Sequence, residues 1–386
     1  MAIVPKKGVL GHFFGVLIVL AGIVAPGTLA ADPCSDLAPV RSLRRLTQTP
    51  VEYLQSTKLT AVDGASSDHF GYSVSIDGDT IVIGAPYDDG GSGSAYVFTR
   101  NRCWNETTGD VSSSYTLVTK LTVVDGADYD LFGNSVSIDG DTIVIGARAE
   151  DDDDSGSAYV FTRDTAGDLA FGWTQVTKLT AVDGASGDYF GRSVSIDGDT
   201  IVNGAQFDND DDKGTNSGSA YVFTLDTAGD LAFGWTQVTK LTADDGASDD
   251  LFGYSVSIDG DTIVIGALND DDRFFASGSA YVFTRDTAGD LASGWTQVTK
   301  LVADDGAYGD HFGRIVYVDS GMIVIATIYD DDKGTSSGSA YVFTLASEST
   351  SIRPCTTCCE IKLESRGFNK ACNPELFAVP YCPIVE

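Results

Sequence analysis

Apolar and polar residues alternate in short runs that return at regular intervals along the chain. Ser73-Val74-Ser75-Ile76 alternates small polar with apolar residues, which is the pattern of a strand with one buried face. The Asp77-Gly78 pair after it suits a two-residue type I′ turn, because both central positions of that turn need a positive φ. The run Ile81-Val82-Ile83 is apolar throughout, as expected for a strand covered on both faces. The pattern predicts strand A at 73–76 and strand B at 80–84, followed by strand C at 94–99 and strand D at 115–122.

Three sequence markers show that this four-strand unit is repeated. Phe-Gly recurs at Phe70, Phe132, Phe190, Phe252 and Phe312, and Gly-Ser-Ala-Tyr-Val-Phe begins at Gly93, Gly156, Gly218, Gly278 and Gly338. Lys-Leu recurs at Lys58, Lys120, Lys178, Lys240 and Lys300. Since the three markers recur together in the same order five times, the chain contains five copies of one unit of about 60 residues. Four antiparallel strands repeated around a ring are typical of a β-propeller, so we expect an all-β fold with five four-stranded blades.

The segment before the first repeat resembles a strand D. Tyr53 to Leu59 copies the pattern of Trp173 to Leu179, whereas the last repeat stops after its strand C at Leu345. Closing a ring removes two exposed sheet edges. We therefore expect the N-terminal strand to complete the last blade and close the propeller.

A Phe-Gly before strand A and a Gly-Ala-Pro after strand B are the two markers of the FG-GAP repeat, and in both the chain resembles the N-terminal propellers of integrin α chains. Gly84-Ala85-Pro86 matches in full, three later copies keep Gly-Ala, and the last keeps only Ala326. The resemblance covers residues 52–345, is nearest to the short FG-GAP variety, and implies a propeller fold and an adhesion function. It does not extend to the integrin calcium loops, because a two-residue A-B hairpin cannot supply the six to eight oxygens that Ca²⁺ takes.

The two ends of the chain differ from the repeats. Lys6 and Lys7 precede an apolar stretch at 9–24 that ends in small residues, which is typical of a secretory signal peptide. The alternative is an uncleaved membrane anchor. We expect a signal peptide at 1–31, a linker at 32–50, the propeller at 51–345 and a Cys-rich tail at 346–386. After cleavage we expect no membrane span and a secreted or extracellular protein.

The net charge of the chain limits the classes of partner that it can bind. The formal net charge is −32, and removing Lys6 and Lys7 takes it to −34, which repels nucleic acid and attracts cations. In a four-stranded blade the D-A and B-C loops emerge on one face of the propeller, and this face carries 30 aspartates, more than half of the 56 acidic residues. We call it the loop face. An extracellular protein or a glycan is the expected partner.

Runs of aspartate in the B-C loops are candidate ligands for Ca²⁺, since three or four adjacent carboxylates exceed what a turn requires. The alternative is that these aspartates hydrogen-bond to their own backbone in turns. We prefer the turn for the recurring Asp63-Gly64 type. The candidate metal ligands are Asp151, Asp152, Asp153, Asp154, Asp208, Asp210, Asp211, Asp212, Asp270, Asp271, Asp272, Asp330, Asp331 and Asp332.

The sequence gives catalysis little support, so we expect a binding protein and no enzyme. His69 and His311 occupy one repeat position where other copies carry leucine or tyrosine, which favours a loop residue over a general base. Paired aspartates could act as acid and base in glycoside hydrolysis, so a glycan hydrolase is the less favoured hypothesis. Trp173, Trp235 and Trp295 permit a multivalent lectin as the alternative function, although a large residue at the start of an outer strand usually covers the blade edge.

Cysteines avoid the repeats, apart from Cys103 in a loop. Cys34, Cys355, Cys358, Cys359, Cys372 and Cys382 are candidates for three disulfides that staple the tail, and the sequence leaves their connectivity open. Zinc is the competing interpretation of Cys355-x-x-Cys358-Cys359. Asn105-Glu106-Thr107 is an acceptor for N-glycosylation in an inserted loop, so Asn105 is expected to carry a glycan in a eukaryotic host.

Overall fold

The computed structural model describes residues 3–5, 55–104, 111–150, 154–163, 172–210, 212–225, 234–285, 294–345, 359–364 and 367–372. The chain divides into two compact units, residues 1–342 and 343–386. The first unit is a five-bladed β-propeller, as the repeat pattern predicted. The second contains an antiparallel hairpin, β21 (Cys359–Glu364) with β22 (Gly367–Cys372).

Each repeat forms one antiparallel sheet, with neighbouring strands in chain order. Blade 1 contains β2 (Ser73–Asp77), β3 (Thr80–Ala85), β4 (Ser94–Trp104) and β5 (Val111–Leu121). Blade 2 contains β6 (Phe132–Asp139), β7 (Thr142–Ala147), β8 (Ser157–Arg163) and β9 (Trp173–Leu179). Blade 3 contains β10 (Ser193–Asp197), β11 (Thr200–Ala205), β12 (Ser219–Leu225) and β13 (Trp235–Leu241). Blade 4 contains β14 (Phe252–Asp259), β15 (Thr262–Ala267), β16 (Ser279–Arg285) and β17 (Trp295–Leu301). Blade 5 contains β18 (Ile315–Asp319), β19 (Met322–Thr327) and β20 (Ser339–Thr344).

The small polar residues of strand A join each blade to the next. The Ser75 hydroxyl accepts a hydrogen bond from the backbone N–H of Ile138 at 3.1 Å, and the Asp77 carboxylate accepts one from the N–H of Gly140 at 2.9 Å. The same pair of bonds recurs at the next three junctions. The polar half of the strand A pattern is therefore used for contacts between blades.

The A-B turn differs from the prediction by one residue. Asp77 pairs with Thr80, so the loop residues are Gly78 and Asp79, and of these only Gly78 has a positive φ. This excludes the expected type I′ turn, because that turn needs two positive φ angles. Asp77 remains in the strand, where its carboxylate reaches the next blade.

The hydrophobic core lies between adjacent blades. Phe132 is fully buried against Val82, Val97 and Leu121 of the preceding blade. Its ring also makes an edge contact with Tyr159 of its own blade, with centroids 5.6 Å apart. Equivalent clusters surround Phe190 and Phe252. The Phe-Gly and Ala-Tyr-Val-Phe markers are thus the two sides of one repeated interface.

Glycine is required where two backbones meet at this interface. A Cβ at Gly84 would lie 2.0 Å from the carbonyl oxygen of Gly133, and one at Gly266 would lie 1.9 Å from that of Gly313. Gly133 also has a φ of +90°, which side chains with a Cβ rarely adopt. The two family markers therefore pack on each other across the junction.

The junction between blades 5 and 1, which we call the seam, is different. Residues 55–60 form no strand, and the fifth sheet has three strands within the described part of the chain, so the predicted closure by a strand at 53–59 is not what the structure shows. Exposed Ser56 stands where Val118, Val176 and Val238 pack against the cores of other blades, and the equivalent Val298 of blade 4 is exposed. Leu59 does pack against the core of blade 1.

The seam also lacks the glycine contact. The predicted match of Ala326 to the alanine of Gly-Ala is wrong: Ala326 pairs with Ile315 and so occupies the position of Gly266 in strand B, and a Cβ added at Gly71 would meet nothing within 4 Å. A short strand from the N-terminal segment, β1 (Ile3–Pro5), pairs in parallel with β2 at this side of blade 1. The seam therefore lacks the glycine contact that the other four junctions share.

Candidate functional site

The first acid of every B-C loop is buried and hydrogen-bonded to the scaffold. These residues are Asp88, Glu150, Asp208, Asp270 and Asp330. The Tyr96 hydroxyl donates to Asp88 at 2.9 Å, and the Tyr281 hydroxyl donates to Asp270 at 2.6 Å. The tyrosine comes from the Gly-Ser-Ala-Tyr marker and makes this bond in blades 1, 3, 4 and 5, whereas in blade 2 the hydroxyl of Ser157 in strand C donates to Glu150.

The lysine of the Lys-Leu marker joins this acid to the D-A loop. Lys240 Nζ lies 2.8 Å from carboxylate oxygens of both Asp183 and Asp208. Lys120 and Lys300 make the same two contacts in blades 1 and 4, and Lys178 joins Asp125 to Glu150 in blade 2. We call this set of one lysine, one tyrosine and two acids the quartet.

Burial opposes the charges of the quartet, but the hydrogen bonds outweigh it. Burial would raise the pKa of Asp183, yet the hydrogen bond from Lys240 lowers it below the usual range. Burial would likewise lower the pKa of Lys240, and its bonds to Asp183 and Asp208 raise it. Both partners are therefore charged at neutral pH.

A second buried acid precedes each Phe-Gly. The Asp188 carboxylate accepts a hydrogen bond from the N–H of Ala185 at 2.6 Å, and Asp250 accepts one from Ala247 at 2.7 Å. Burial raises the pKa of Asp188 to about 6 and that of Asp250 to about 7. Both aspartates of the Asp-Gly-Ala-x-x-Asp-x-Phe-Gly pattern thus organise the D-A loop.

The candidate metal ligands divide into two groups. Asp208, Asp270 and Asp330 are the buried acids described above, whereas Asp154, Asp212, Asp271, Asp272, Asp331 and Asp332 are exposed and Asp210 is half-buried. Asp151, Asp152, Asp153 and Asp211 lie outside the described residues. The N–H of Asp212 donates to Asp210, and the N–H of Asp332 donates to Asp330, so the runs also form Asx turns. Among described residues, no three His, Cys, Asp or Glu side chains are grouped to hold a metal.

Blade 3 has an acidic cleft beside its quartet. The cleft has a volume of about 410 Å³ and is lined by Asp183, Asp188, Asp208, Asp210 and Lys240. The Oδ1 atom of Asp188 is buried there without a hydrogen-bond partner. The recess therefore contains four carboxylates against one lysine.

Exposed apolar side chains accompany the acids on the loop face. Of the fifteen large hydrophobic residues exposed in the described chain, ten lie in D-A or B-C loops. They are Val62, Tyr87, Val124, Tyr129, Val182, Phe274, Phe275, Tyr308, Ile328 and Tyr329. Phe275 and Tyr308 stack on each other with centroids 5.3 Å apart while remaining 64% and 73% exposed.

The other residues singled out from the sequence have structural positions. Trp173, Trp235 and Trp295 pack against the interblade clusters, as expected for residues that cover a blade edge. His69 and His311 have positive φ angles in the loop before Phe-Gly, and their rings contact Tyr87 and Tyr329. Asn105, Cys34, Cys355, Cys358 and Cys382 lie outside the described residues. The register of the hairpin places Cys359 opposite Cys372.

One feature was not predicted. The residue after each Phe-Gly faces a cavity shared by all five blades, and these residues are Tyr72, Asn134, Arg192, Tyr254 and Arg314. The five positions carry three different residue types, so the sequence contained no single marker for them. The only indication in the sequence was that Arg192 and Arg314 directly follow the acidic D-A loops.

The fold and the loop face define a β-propeller of the binding type. A profile of the FG-GAP repeat matches residues 53–98, 115–161, 173–223, 235–283 and 295–343, which is more than half of the chain. The chain belongs to the FG-GAP repeat family. Propellers of this family are typically extracellular and non-enzymatic, and they support binding or adhesion. A comparison with curated proteins gave no match. No helix among the described residues is long and apolar enough to cross a membrane.

Proposed function

We propose that this chain is an extracellular binding module that engages a protein partner through its loop face, with Ca²⁺ as a stabilising ion. The observation that carries the proposal is the placement of exposed apolar residues. Monomeric proteins seldom cluster such residues without a function, and aromatic residues are enriched in protein interfaces. Here they lie on the same loops as the acids, while the hairpins of the opposite face are largely free of them in the described chain.

The apolar residues are arranged around the face in two groups. Val62, Val124 and Val182 occupy one repeat position in blades 1 to 3, where blades 4 and 5 carry Asp244 and Asp304. In blades 4 and 5 the apolar surface comes instead from Phe274, Phe275, Tyr308, Ile328 and Tyr329, whereas Tyr87 and Tyr129 accompany the valines on the loops of the first two repeats. The face therefore offers a mainly aromatic group and a mixed group of valines and tyrosines, both beside acids, which suits a partner with complementary apolar and basic residues.

The Phe275→Ala, Tyr308→Ala double variant tests the partner. We expect it to lower affinity for an extracellular protein at least tenfold, because exposed aromatics are frequent hot spots, and to change stability little. Met322→Ala, on the opposite face, is the matched control and should bind as the parent does. The chain would be applied to an array of extracellular protein domains and, in parallel, to a glycan array. Hits that are confined to glycans would favour the lectin alternative, and protein hits that ignore the double variant would contradict the proposal.

Ca²⁺ is proposed to bind the B-C loops, most favourably at the acidic cleft of blade 3. Like charges at this density repel, and a hard dication relieves the repulsion through oxygen ligands. At one hundred times its dissociation constant, an ion that binds only the folded state adds about 2.7 kcal/mol, which raises the melting temperature by a few degrees. Melting would be measured with Ca²⁺ and with chelator at matched ionic strength.

Asp210→Asn should reduce the Ca²⁺ effect, because it removes a carboxylate from the cleft that has no lysine partner in the quartet. Asp199→Asn removes the same charge from the A-B hairpin of blade 3 and serves as the control. Identical melting curves with Ca²⁺ and with chelator would contradict the cation site and leave the proposed partner surface standing.

A further inference from the structure

The central cavity is lined by residues from all five blades. It has a volume of about 140 Å³ and is lined by the first residues of the five A strands. Since each A strand begins where a D-A loop ends, the cavity lies at the loop-face end of these strands. Its five variable positions place two arginines, two tyrosines and one asparagine around the axis.

Both arginines are held against one aromatic ring. The guanidinium carbon of Arg192 lies 4.2 Å from the centroid of Tyr254, and that of Arg314 lies 5.4 Å from the same centroid. Arg314 is also 5.4 Å from the centroid of Tyr329. The Nε atom of Arg192 donates to the side-chain oxygen of Gln206 at 3.2 Å, so the arginine is oriented through one nitrogen and its other N–H groups remain available.

Neither arginine forms an ion pair with a carboxylate in the described part of the chain. By contrast, Arg100, Arg163 and Arg285 each pair with an aspartate of an A-B hairpin. Two half-buried guanidinium groups beside one ring repel each other, and nothing in the cavity lining offsets their charge. The cavity is therefore positively charged, although the chain as a whole contains 56 acidic residues and is strongly negative.

We propose that the cavity binds a small carboxylate, with Arg192 and Arg314 as its ligands and Tyr254 as part of its wall. The planar guanidinium fork matches the two oxygens of a carboxylate. The cavity admits only a group of a few heavy atoms, and the acidic loops disfavour a dianion such as phosphate. The carboxylate is supplied by a free organic acid or by an acidic side chain of a protein partner. The second source rests on the proposed function.

Calorimetric titration of the full chain tests the site, with acetate, propionate, phosphate and a short glutamate-containing peptide at one ionic strength. We expect heat from the carboxylates and at least tenfold weaker binding of phosphate. Preference for acetate or propionate over the peptide identifies a free acid as the source, and the reverse identifies a partner side chain. Equal affinity for phosphate would overturn the carboxylate assignment, and absence of binding by all four probes would overturn the site.

Arg192→Gln, Arg314→Gln should lower carboxylate affinity at least tenfold. Arg285→Gln is the matched control, because Arg285 also lies over an aromatic ring, 5.3 Å from the Trp295 centroid, but outside the cavity. Should the double variant fail to fold, Arg314→Lys retains the charge without the fork and should bind several-fold more weakly. Unchanged binding in whichever variant folds would overturn the proposal. The Phe275→Ala, Tyr308→Ala variant should still bind the carboxylate, so failure here is distinguishable from failure of the proposed function.

Discussion

Replacing Lys240 by methionine is expected to lower the free energy of unfolding by about 4 kcal/mol, because removing one partner of a buried ion pair leaves an uncompensated charge. The Asp208 carboxylate is only 4% exposed, and without Lys240 it would face Asp183 with no cation between them. Methionine keeps the aliphatic chain that lies against Tyr221, so the lost charge dominates the result. Urea unfolding at neutral pH measures the difference.

Lys58→Met is the control for this prediction, since Lys58 belongs to the same Lys-Leu marker but is exposed. Its unfolding free energy should change by no more than about 0.5 kcal/mol. Equal losses in the two variants would contradict the role given to the quartet.

Stability is expected to fall as the pH rises from about 4 to about 7. Burial, with help from Asp270 and Asp271, raises the pKa of Asp250 to about 7, above the value of an unfolded aspartate. The folded state therefore binds the proton more tightly than the unfolded state, and each such group contributes a loss of up to about 1.4 kcal/mol per pH unit in this window. Asp188, with a pKa raised to about 6 by burial, acts in the same direction.

Below this window the sign reverses. The pKa values of Asp63, Asp79, Asp183 and Asp245 are lowered in the folded state, mainly because hydrogen bonds from lysine or arginine outweigh burial. Their contribution is present above the unfolded pKa of about 4 and is lost as the pH falls further. The two sets together place maximum stability near pH 4 to 5.

Asp250→Asn isolates the first effect. The amide oxygen can still accept the N–H of Ala247, so the variant should be more stable than the parent at pH 8 and closely similar at pH 4. Asp249→Asn removes a charge from the exposed neighbouring residue and should leave the slope unchanged. Unfolding would be followed in chelator, so that cations do not contribute. Parallel curves for the parent and Asp250→Asn would show that Asp250 is not the titrating group.

The blade architecture could be predicted from the sequence because its determinants are local and repeated five times. The alternation at 73–76 and the apolar run at 81–83 gave strands within one or two residues of β2 and β3. The outer strands were predicted too short, since β4 extends to Trp104 beyond the repeated pattern. The seam could not be predicted, because the repeat pattern does not show how the replacement of a valine by Ser56 and of a glycine by Ala326 changes the packing between blades 5 and 1.

The chemistry of the loop face was only partly predictable. The aspartate runs indicated an acidic face, but they did not reveal which member of each run is buried. That depends on Lys240 and its equivalents, and Lys240 lies 57 residues from Asp183 along the chain. The central cavity was missed because its residues vary between repeats, and repeat analysis favours positions that stay the same.

The glycine contact between blades bears on how the number of repeats can change during evolution. Each junction from blade 1 to blade 5 uses one glycine from strand B and one from the following Phe-Gly, so every internal repeat carries both halves of the joint. Duplicating or deleting one whole unit by recombination would leave each internal joint chemically complete. A different number of blades would then change the distance between the first and the last blade. This change would occur at the seam, where Ala326 and Gly71 do not form the glycine contact.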